Sequence, residues 1–173
     1  MHVETRGPMP DARTLRKMEP GDLHSRAIEA VHLTLEKGQE LYLKQASAFT
    51  TEQVGLFAAF WCNAEVCNGG FYQFFRNSTG IVGPEAAAGL TMLGLSPAAR
   101  IVEEAMVMLG APFPRDWKRR SAVLEKIHKP EDLRAERSPF ERQDNAFYKI
   151  PGMTHFSKLA DDFVRSRMDR FFR

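Results

Sequence analysis

Residues 65–80 read EVCNGGFYQFFRNSTG, and this stretch decides how the chain folds. Two glycines, Gly69 and Gly70, stand directly before the densest aromatic cluster of the sequence. The three phenylalanines of that cluster recur at positions i, i+3 and i+4, a spacing that places side chains on one side of a helix. They are Phe71, Phe74 and Phe75. Because glycine has no Cβ and permits tight backbone turns, the pair predicts a hinge between two central helices.

The helix before the hinge is predicted to lie at the centre of the protein. Thr50 and Gln53 match the capping-box pattern, in which each side chain satisfies a free backbone amide of the other residue. Residues 54–61 are almost wholly apolar, which is typical of a helix buried on most sides. The hinge is expected to fold the three phenylalanines back onto Phe57 and Trp61 of this helix.

Proline and glycine mark the starts of further helices. Gly83-Pro84 and Ser96-Pro97 each resemble a helix start with proline in the first turn. Residues 156–171 hold a sustained apolar stripe at helical spacing. No segment alternates apolar and polar residues with period two, as half-buried strands do. The predicted fold class is therefore all-α, a single compact domain of about seven or eight helices.

Length and composition are those of one soluble globular domain. The chain has 173 residues, of which 43% are hydrophobic and 27% are charged. Residues 1–19 carry Gly7, Pro8 and Pro10 with little apolar periodicity, so we expect a flexible N-terminal arm before a domain spanning 20–173. The longest apolar run is about half of the roughly 20 residues that a membrane helix needs, and no signal peptide is recognisable. We expect a cytoplasmic protein with no membrane contact.

No metal or cofactor site is predicted. The five histidines are scattered singly, whereas a zinc site needs about four Cys or His ligands at short spacings. Cys62 and Cys67 are five positions apart and point to different faces of a helix, so we expect reduced thiols rather than a disulfide. The glycine pair matches neither a Walker loop nor a dinucleotide-binding loop, so no cofactor is expected.

The distribution of charge offers one candidate basic surface. The chain has 24 Lys and Arg residues against 22 Asp and Glu residues, a formal net charge of +2. Four of the bases fall within six residues: Arg115, Lys118, Arg119 and Arg120. Such a cluster, with Asp116 within it, is more typical of a solvated helix face than of a phosphate-binding surface. Nucleic-acid binding is therefore not expected.

A polar set surrounds the aromatic cluster: Glu65, Asn68, Gln73 and Asn77. Two of these residues precede the glycines and two follow them one helical turn apart, so the hinge can bring all four together. As a structural network, they would satisfy backbone groups that the helix break leaves free. As a binding site, the amides of Gly69 and Gly70 at a helix N-terminus, together with Arg76, would hold an anion. Both interpretations stay open at this stage.

The signature E-x-x-N-G-G-F-x-Q-F-F-x-N-S-x-G resembles that of the DNA-mimic-protein-19-like domain family, a group of bacterial helical domains. The likeness covers about residues 50–112. It implies a helical fold and a habit of binding other proteins. The family's named member is described as a dimer whose acidic surface imitates DNA, a role that needs a phosphate-like array of carboxylates. Acids and bases nearly balance in this sequence, so DNA mimicry is not expected.

These observations favour a cytoplasmic protein-protein interaction module that binds an unidentified protein partner and is able to form a homodimer. The alternative is an enzyme, or a protein that binds a small ligand or anion in a pocket at the Asn-Gly-Gly helix junction. A lone cysteine on an apolar helix and scattered histidines do not make a nucleophile and its base. The sequence therefore assigns no catalytic residue and favours a binding protein over an enzyme.

Overall fold

A computed structural model describes residues 5–128 and 137–173. The helices in these two ranges are α1 (Ala12–Leu15), α2 (Asp22–Glu36), α3 (Gln39–Gln45), α4 (Thr51–Arg76), α5 (Gly83–Met92), α6 (Ser96–Val107), α7 (Trp117–Ile127), α8 (Glu141–Tyr148), α9 (Phe156–Arg165) and α10 (Met168–Phe171). Short 3₁₀ turns occupy Ala46–Ala48, Ser78–Val82 and Met153–His155. Eight of the described helices have seven residues or more, and no described residue belongs to a β-strand. The predicted all-α class is confirmed.

The central helix of the core is α4, as its apolar sequence predicts. Its fully buried apolar side chains include Leu56, Phe57, Cys62 and Val66. Thr50 and Gln53 form the predicted capping box at its N-terminus. In the described part of the chain, neither α4 nor any other helix has the length and apolar character needed to cross a bilayer.

The backbones of α4 and α5 are in direct contact. An ideal Cβ on Gly89 would overlap the carbonyl oxygen of Gly55, and an ideal Cβ on Gly55 would overlap the Met92 side chain. Two facing glycines therefore set the short distance between these helices. This close approach is not apparent from the helical pattern of either segment.

The backbone leaves helical geometry at the glycine pair inside α4. Gly69 has φ −156° and ψ 25°, and Gly70 has φ 74° and ψ −179°. The positive φ of Gly70 favours glycine, and an ideal Cβ there would lie 2.7 Å from the Asp144 carboxylate. The break lies where the sequence predicts it, and its action as a hinge stays a prediction.

The break directs the aromatic cluster towards α8. The Phe71 ring centroid lies 5.4 Å from that of Phe147 and 6.3 Å from that of Phe140. Within the described residues, neither Phe57 nor Trp61 has a ring contact with the cluster. Phe57 and the three phenylalanines still belong to one buried core, with Trp61 packed against it, and the expected direct packing of the cluster on Phe57 and Trp61 stays a prediction.

The segment 7–9 is hydrogen-bonded to Arg173. The Met9 amide donates a hydrogen bond to the Arg173 carbonyl at 2.9 Å, and the Arg173 amide donates to the Gly7 carbonyl at 3.1 Å. The expected arm, residues 1–19, is therefore bonded to the C-terminus in its described part, and α1 forms within it. Its first four residues lie outside the described structure.

Candidate functional site

Glu65 is the centre of a hydrogen-bonded group of polar side chains. Its Oε2 atom accepts hydrogen bonds from Gln73 Nε2 at 2.6 Å and from Asn77 Nδ2 at 2.8 Å. Its Oε1 atom accepts a hydrogen bond from the Thr79 hydroxyl at 3.2 Å. Asn68 joins the group by donating to Gln73 Oε1 at 3.1 Å. We call these five residues the polar junction. Four of them form the predicted polar set, and Thr79 is an addition.

The polar junction bridges the break in α4. Glu65 and Asn68 precede the glycine pair, whereas the other members follow it. Gly69 fits against Gln73, since an ideal Cβ on Gly69 would overlap the Gln73 amide oxygen. The members satisfy one another rather than the free backbone groups that we expected them to satisfy. Because these bonds join the two halves of α4, the geometry favours the structural interpretation of the set.

The free backbone amide at the break is satisfied by Asp144 of α8. The Phe71 amide donates to Asp144 Oδ1 at 2.7 Å, and Asp144 is buried. Burial raises the pKa of Asp144, although the hydrogen bond from Phe71 acts in the opposite direction. The sequence does not predict this contact, because Asp144 lies 73 positions after Phe71 and no local pattern connects them.

The structure separates the parts of the predicted anion site. Asp144 already places a carboxylate at the helix N-terminus behind the glycine pair, where an anion would bind. Arg76 lies 3.6 Å from Glu125 of α7 and is not part of the polar junction. A cleft of about 300 Å³ does border the glycine pair, and its charged lining residues are Asp144, Glu141 and Arg137. With two acids and one base, this cleft disfavours an anion.

The four bases predicted as a surface divide between the surface and the interior. Lys118 and Arg119 are exposed on α7. Arg115 donates to both carboxylate oxygens of Glu85, at 3.1 Å and 2.7 Å. Arg120 is fully buried. The expected basic surface is corrected accordingly, because Arg120 is inside the protein and Glu85 offsets the charge of Arg115.

Arg120 supports the C-terminal end of α4. Its Nε atom donates to the Phe75 carbonyl at 2.6 Å, and Nη2 donates to the Asn77 carbonyl at 3.1 Å. Burial lowers the pKa of Arg120 to about 10. A guanidinium is well suited to this position, since the last carbonyls of a helix lack helical partners and carry partial negative charge. Arg120 thereby holds the backbone of Asn77, whose side chain binds Glu65.

A cleft opens beside the polar junction, between α2 and the end of α4. Its volume is about 320 Å³, and it is lined by His32, Leu35, Glu36, Trp61, Glu65, Asn77, Ser78 and Thr79. We call it the Glu65 cleft. The His32 ring stacks on Trp61 with a centroid distance of 5.3 Å and an interplanar angle of 14°. The His32 Nε2 atom lies 3.0 Å from Glu36 Oε1.

Asp161 of α9 caps the N-terminus of α2. The Asp161 carboxylate accepts hydrogen bonds from the Gly21 amide at 2.7 Å and from the His24 amide at 2.9 Å. Gly21 is the N-cap residue of α2 and has no side chain that could take this role. The sequence does not predict His32 and Glu36 as cleft residues, because the packing of α2 beside α4 is a long-range contact.

Two further clefts adjoin α2. One has a volume of about 350 Å³ and shares His32 and Trp61 with the Glu65 cleft. The other has a volume of about 530 Å³ and shares Arg26 and Glu29 with the 350 Å³ cleft. Leu33, which is 47% exposed, lines this largest cleft. We call the surface formed by the three clefts the α2 face.

The two cysteines are poor candidates for a catalytic nucleophile. Burial raises the pKa of both the Cys62 and Cys67 thiols, which disfavours their reactive thiolate forms. Cys67 contacts Asn63 Oδ1 at 3.4 Å, and His128 contacts the Tyr72 ring. Within residues 5–128 and 137–173, no group of three or more His, Cys, Asp or Glu side chains is placed to hold a metal ion.

The described residues thus define an all-helical protein in which a polar junction closes a break in the central helix beside an acidic cleft. The family model for DMP19-like proteins matches residues 47–167, and the chain belongs to the DMP19-like protein family. The family resemblance of the sequence is confirmed. No curated protein and no solved structure matches the chain. The matched region includes the polar junction, and α2 lies outside it.

Proposed function

We propose that the protein is a cytoplasmic interaction module that binds a protein partner through the α2 face. The observation that carries this proposal is the continuity of the three clefts, each of which shares residues with the next. Helix α2 has 15 residues, so it is about 22 Å long. A surface of that length suits a segment of another protein better than one small molecule.

The composition of the α2 face also supports protein binding. Protein interfaces combine exposed apolar and aromatic side chains with a polar rim. Leu33 is a large apolar side chain exposed to solvent, and His32 and Trp61 form an aromatic pair between two of the clefts. Arg26 and Glu29 add charged groups of both signs. Membership of the DMP19-like family supports the same function, since the sequence resemblance implies protein binding.

The alternative, an enzyme or a ligand-binding protein with its pocket at the Asn-Gly-Gly junction, has weaker support. A cleft borders the glycine pair, but the Asp144 carboxylate beside it already accepts a hydrogen bond from the Phe71 amide. Asn68 and Gln73, the polar junction residues beside the glycine pair, are likewise bonded to each other. A ligand there would compete with these internal hydrogen bonds, which are already made in its absence.

A photo-crosslinking amino acid at position 33 tests the proposal in living cells. We expect one protein species to form a crosslink from position 33 and not from position 107. Val107 is the matched control, because it is 70% exposed on α6 and lines none of the three clefts. The purified partner should then bind the Leu33→Asp variant about tenfold more weakly than the wild-type protein, and the Val107→Asp variant normally.

Three outcomes would contradict the proposal. The same set of crosslinks from positions 33 and 107 would indicate non-specific contact. Crosslinks from position 33 to another copy of the chain alone would make the α2 face a homodimer interface instead. Recovery of nucleic acid without protein would transfer the binding function to another class of partner.

A further inference from the structure

We propose that the Glu65 cleft binds the guanidinium group of an arginine side chain that the protein partner presents. This inference rests on the proposed function for the source of the arginine. The identification of the bound group as a guanidinium rests on the chemistry of the cleft. Charge, hydrogen-bonding capacity and aromatic surface in the cleft each point to that group.

The cleft is lined by two carboxylates and by no Lys or Arg. Glu65 accepts hydrogen bonds from an amide of Gln73, an amide of Asn77 and a hydroxyl of Thr79, all of which are neutral donors. Glu36, whose side chain is 58% exposed, adds a second carboxylate beside His32. The lining residues of the cleft include no Lys or Arg. A cation entering the cleft therefore meets attraction from two carboxylates, and His32, which contacts Glu36, is the one basic side chain among the lining residues.

The Glu65 carboxylate has a fixed orientation and one acceptor position left for a further hydrogen bond. Each carboxylate oxygen has about two acceptor positions. Oε2 uses two of them, for Gln73 and Asn77, whereas Oε1 uses one, for Thr79. Because three donors already fix the orientation of the group, a ligand that binds the remaining position loses little side-chain entropy in the protein.

The aromatic pair distinguishes a guanidinium from an ammonium group. His32 and Trp61 stack nearly parallel, and both line the cleft. A planar guanidinium stacks on such rings and at the same time spreads several N–H donors in its plane. Two acceptors line the cleft, Glu36 from α2 and Glu65 from α4, and a guanidinium has enough donors to bind both. A lysine ammonium is compact and makes less use of a flat surface.

Trp61 provides the probe for the test. The chain has two tryptophans, so a Trp117→Phe variant leaves Trp61 as the single tryptophan. We expect its fluorescence to change saturably on titration with N-acetyl-arginine amide at constant ionic strength. N-acetyl-citrulline amide, which has nearly the same shape but no charge, should leave the signal unchanged. The lysine analogue should bind more weakly than the arginine analogue.

Two substitutions locate the binding site. Glu65→Gln and Glu36→Gln, each in the Trp117→Phe background, should weaken arginine binding by about tenfold, since each removes a charge-assisted hydrogen bond. If Glu65→Gln disturbs folding, the exposed Glu36→Gln variant still gives the answer. Glu29→Gln is the matched control, because Glu29 is also on α2 but lines only the neighbouring clefts. It should bind the arginine analogue normally.

The outcomes separate this inference from the proposed function. Equal responses to the arginine and citrulline analogues, or no saturable response, would overturn the inference even if a partner crosslinks at position 33. Equal affinity for the lysine analogue would overturn the guanidinium assignment. If the arginine analogue binds but no partner crosslinks, the proposed function fails and the cleft binds a free guanidinium compound instead of a protein side chain.

Discussion

Arg120 brings a guanidinium into the interior of the protein. Its four hydrogen bonds within the described residues all go to backbone carbonyl oxygens, two of them at the end of α4. A buried charge is costly unless its donors are satisfied, and removing one partner leaves the other partners unsatisfied. The role of Arg120 is therefore structural, and it acts on the polar junction through the backbone of Asn77.

Replacing Arg120 with methionine should destabilise the protein by about 3 kcal/mol, because methionine keeps the apolar stem but leaves buried carbonyls without a donor. Urea unfolding followed by far-UV circular dichroism measures the loss. The neighbouring Arg119→Met variant is the control, since Arg119 is exposed and its replacement should change stability by less than about 0.5 kcal/mol. Similar stabilities for the two variants would contradict the structural role.

We expect Asp144 to make the stability of the protein depend on pH. Burial raises the pKa of this carboxyl, so the folded protein binds its proton more tightly than the unfolded chain does. The contribution of Asp144 to stability is therefore largest below its unfolded pKa of about 4, and it is lost as pH rises through the higher pKa of the folded state.

We expect the wild-type protein to gain unfolding free energy relative to the Asp144→Asn variant as the pH falls from about 7 to about 4. Asparagine keeps an acceptor for the Phe71 amide but does not titrate, so the comparison isolates ionisation. Urea unfolding at several pH values measures the difference. The Asp162→Asn variant, at an exposed position of α9, is the control for replacing an aspartate that is not buried. A relative loss of stability for the wild-type protein on acidification would show that the hydrogen bond outweighs burial.

At the scale of helices, two N-termini are capped by aspartates from later helices. Asp161 of α9 caps α2, and Asp144 of α8 caps the part of α4 that follows its break. In both cases the capping position in the chain is occupied by a glycine with positive φ, Gly21 at 105° and Gly70 at 74°. Glycine offers no side-chain acceptor, so each helix depends on a distant carboxylate. This dependence connects the C-terminal helices to both walls of the Glu65 cleft.

The contact between α4 and α5 yields a prediction at the same scale. Gly89→Ala should destabilise the protein by about 3 kcal/mol, because the new methyl group would overlap the Gly55 backbone and force the helices apart. Thermal unfolding measures the melting temperature of Gly89→Ala. The control is Gly7→Ala, where an added Cβ meets no atom within 4 Å. An unchanged melting temperature for Gly89→Ala would mean that the two helices can separate at little cost.

Across the whole molecule, residues far away in sequence hold α4 at both ends and at its break. Near its N-terminus, Arg170 of α10 donates to the Glu52 carboxylate at 2.9 Å and 3.2 Å. At the break, Asp144 binds the Phe71 amide, and at the C-terminal end Arg120 binds the last carbonyls. The central helix therefore owes its shape to the C-terminal half of the chain as well as to its own sequence.

The sequence by itself determined the all-α class, the break at Gly69 and Gly70, and the membership of the polar junction apart from Thr79. These features depend on local properties: helical spacing, the conformational freedom of glycine, and polar side chains that lie within 12 positions of Glu65. Contacts within one or two helical turns of a break follow from helix geometry, so a single sequence predicts them.

Only the tertiary structure decided the burial of Arg120, the capping by Asp144 and Asp161, and the Glu65 cleft. The contacts involved join residues 45, 73 and 137 positions apart. An exposed arginine and a buried one have the same local sequence pattern, and so do a surface aspartate and a capping one. Which of them is realised depends on how whole helices pack, because the free energy of packing is summed over many distant contacts and leaves no periodic signal in the chain.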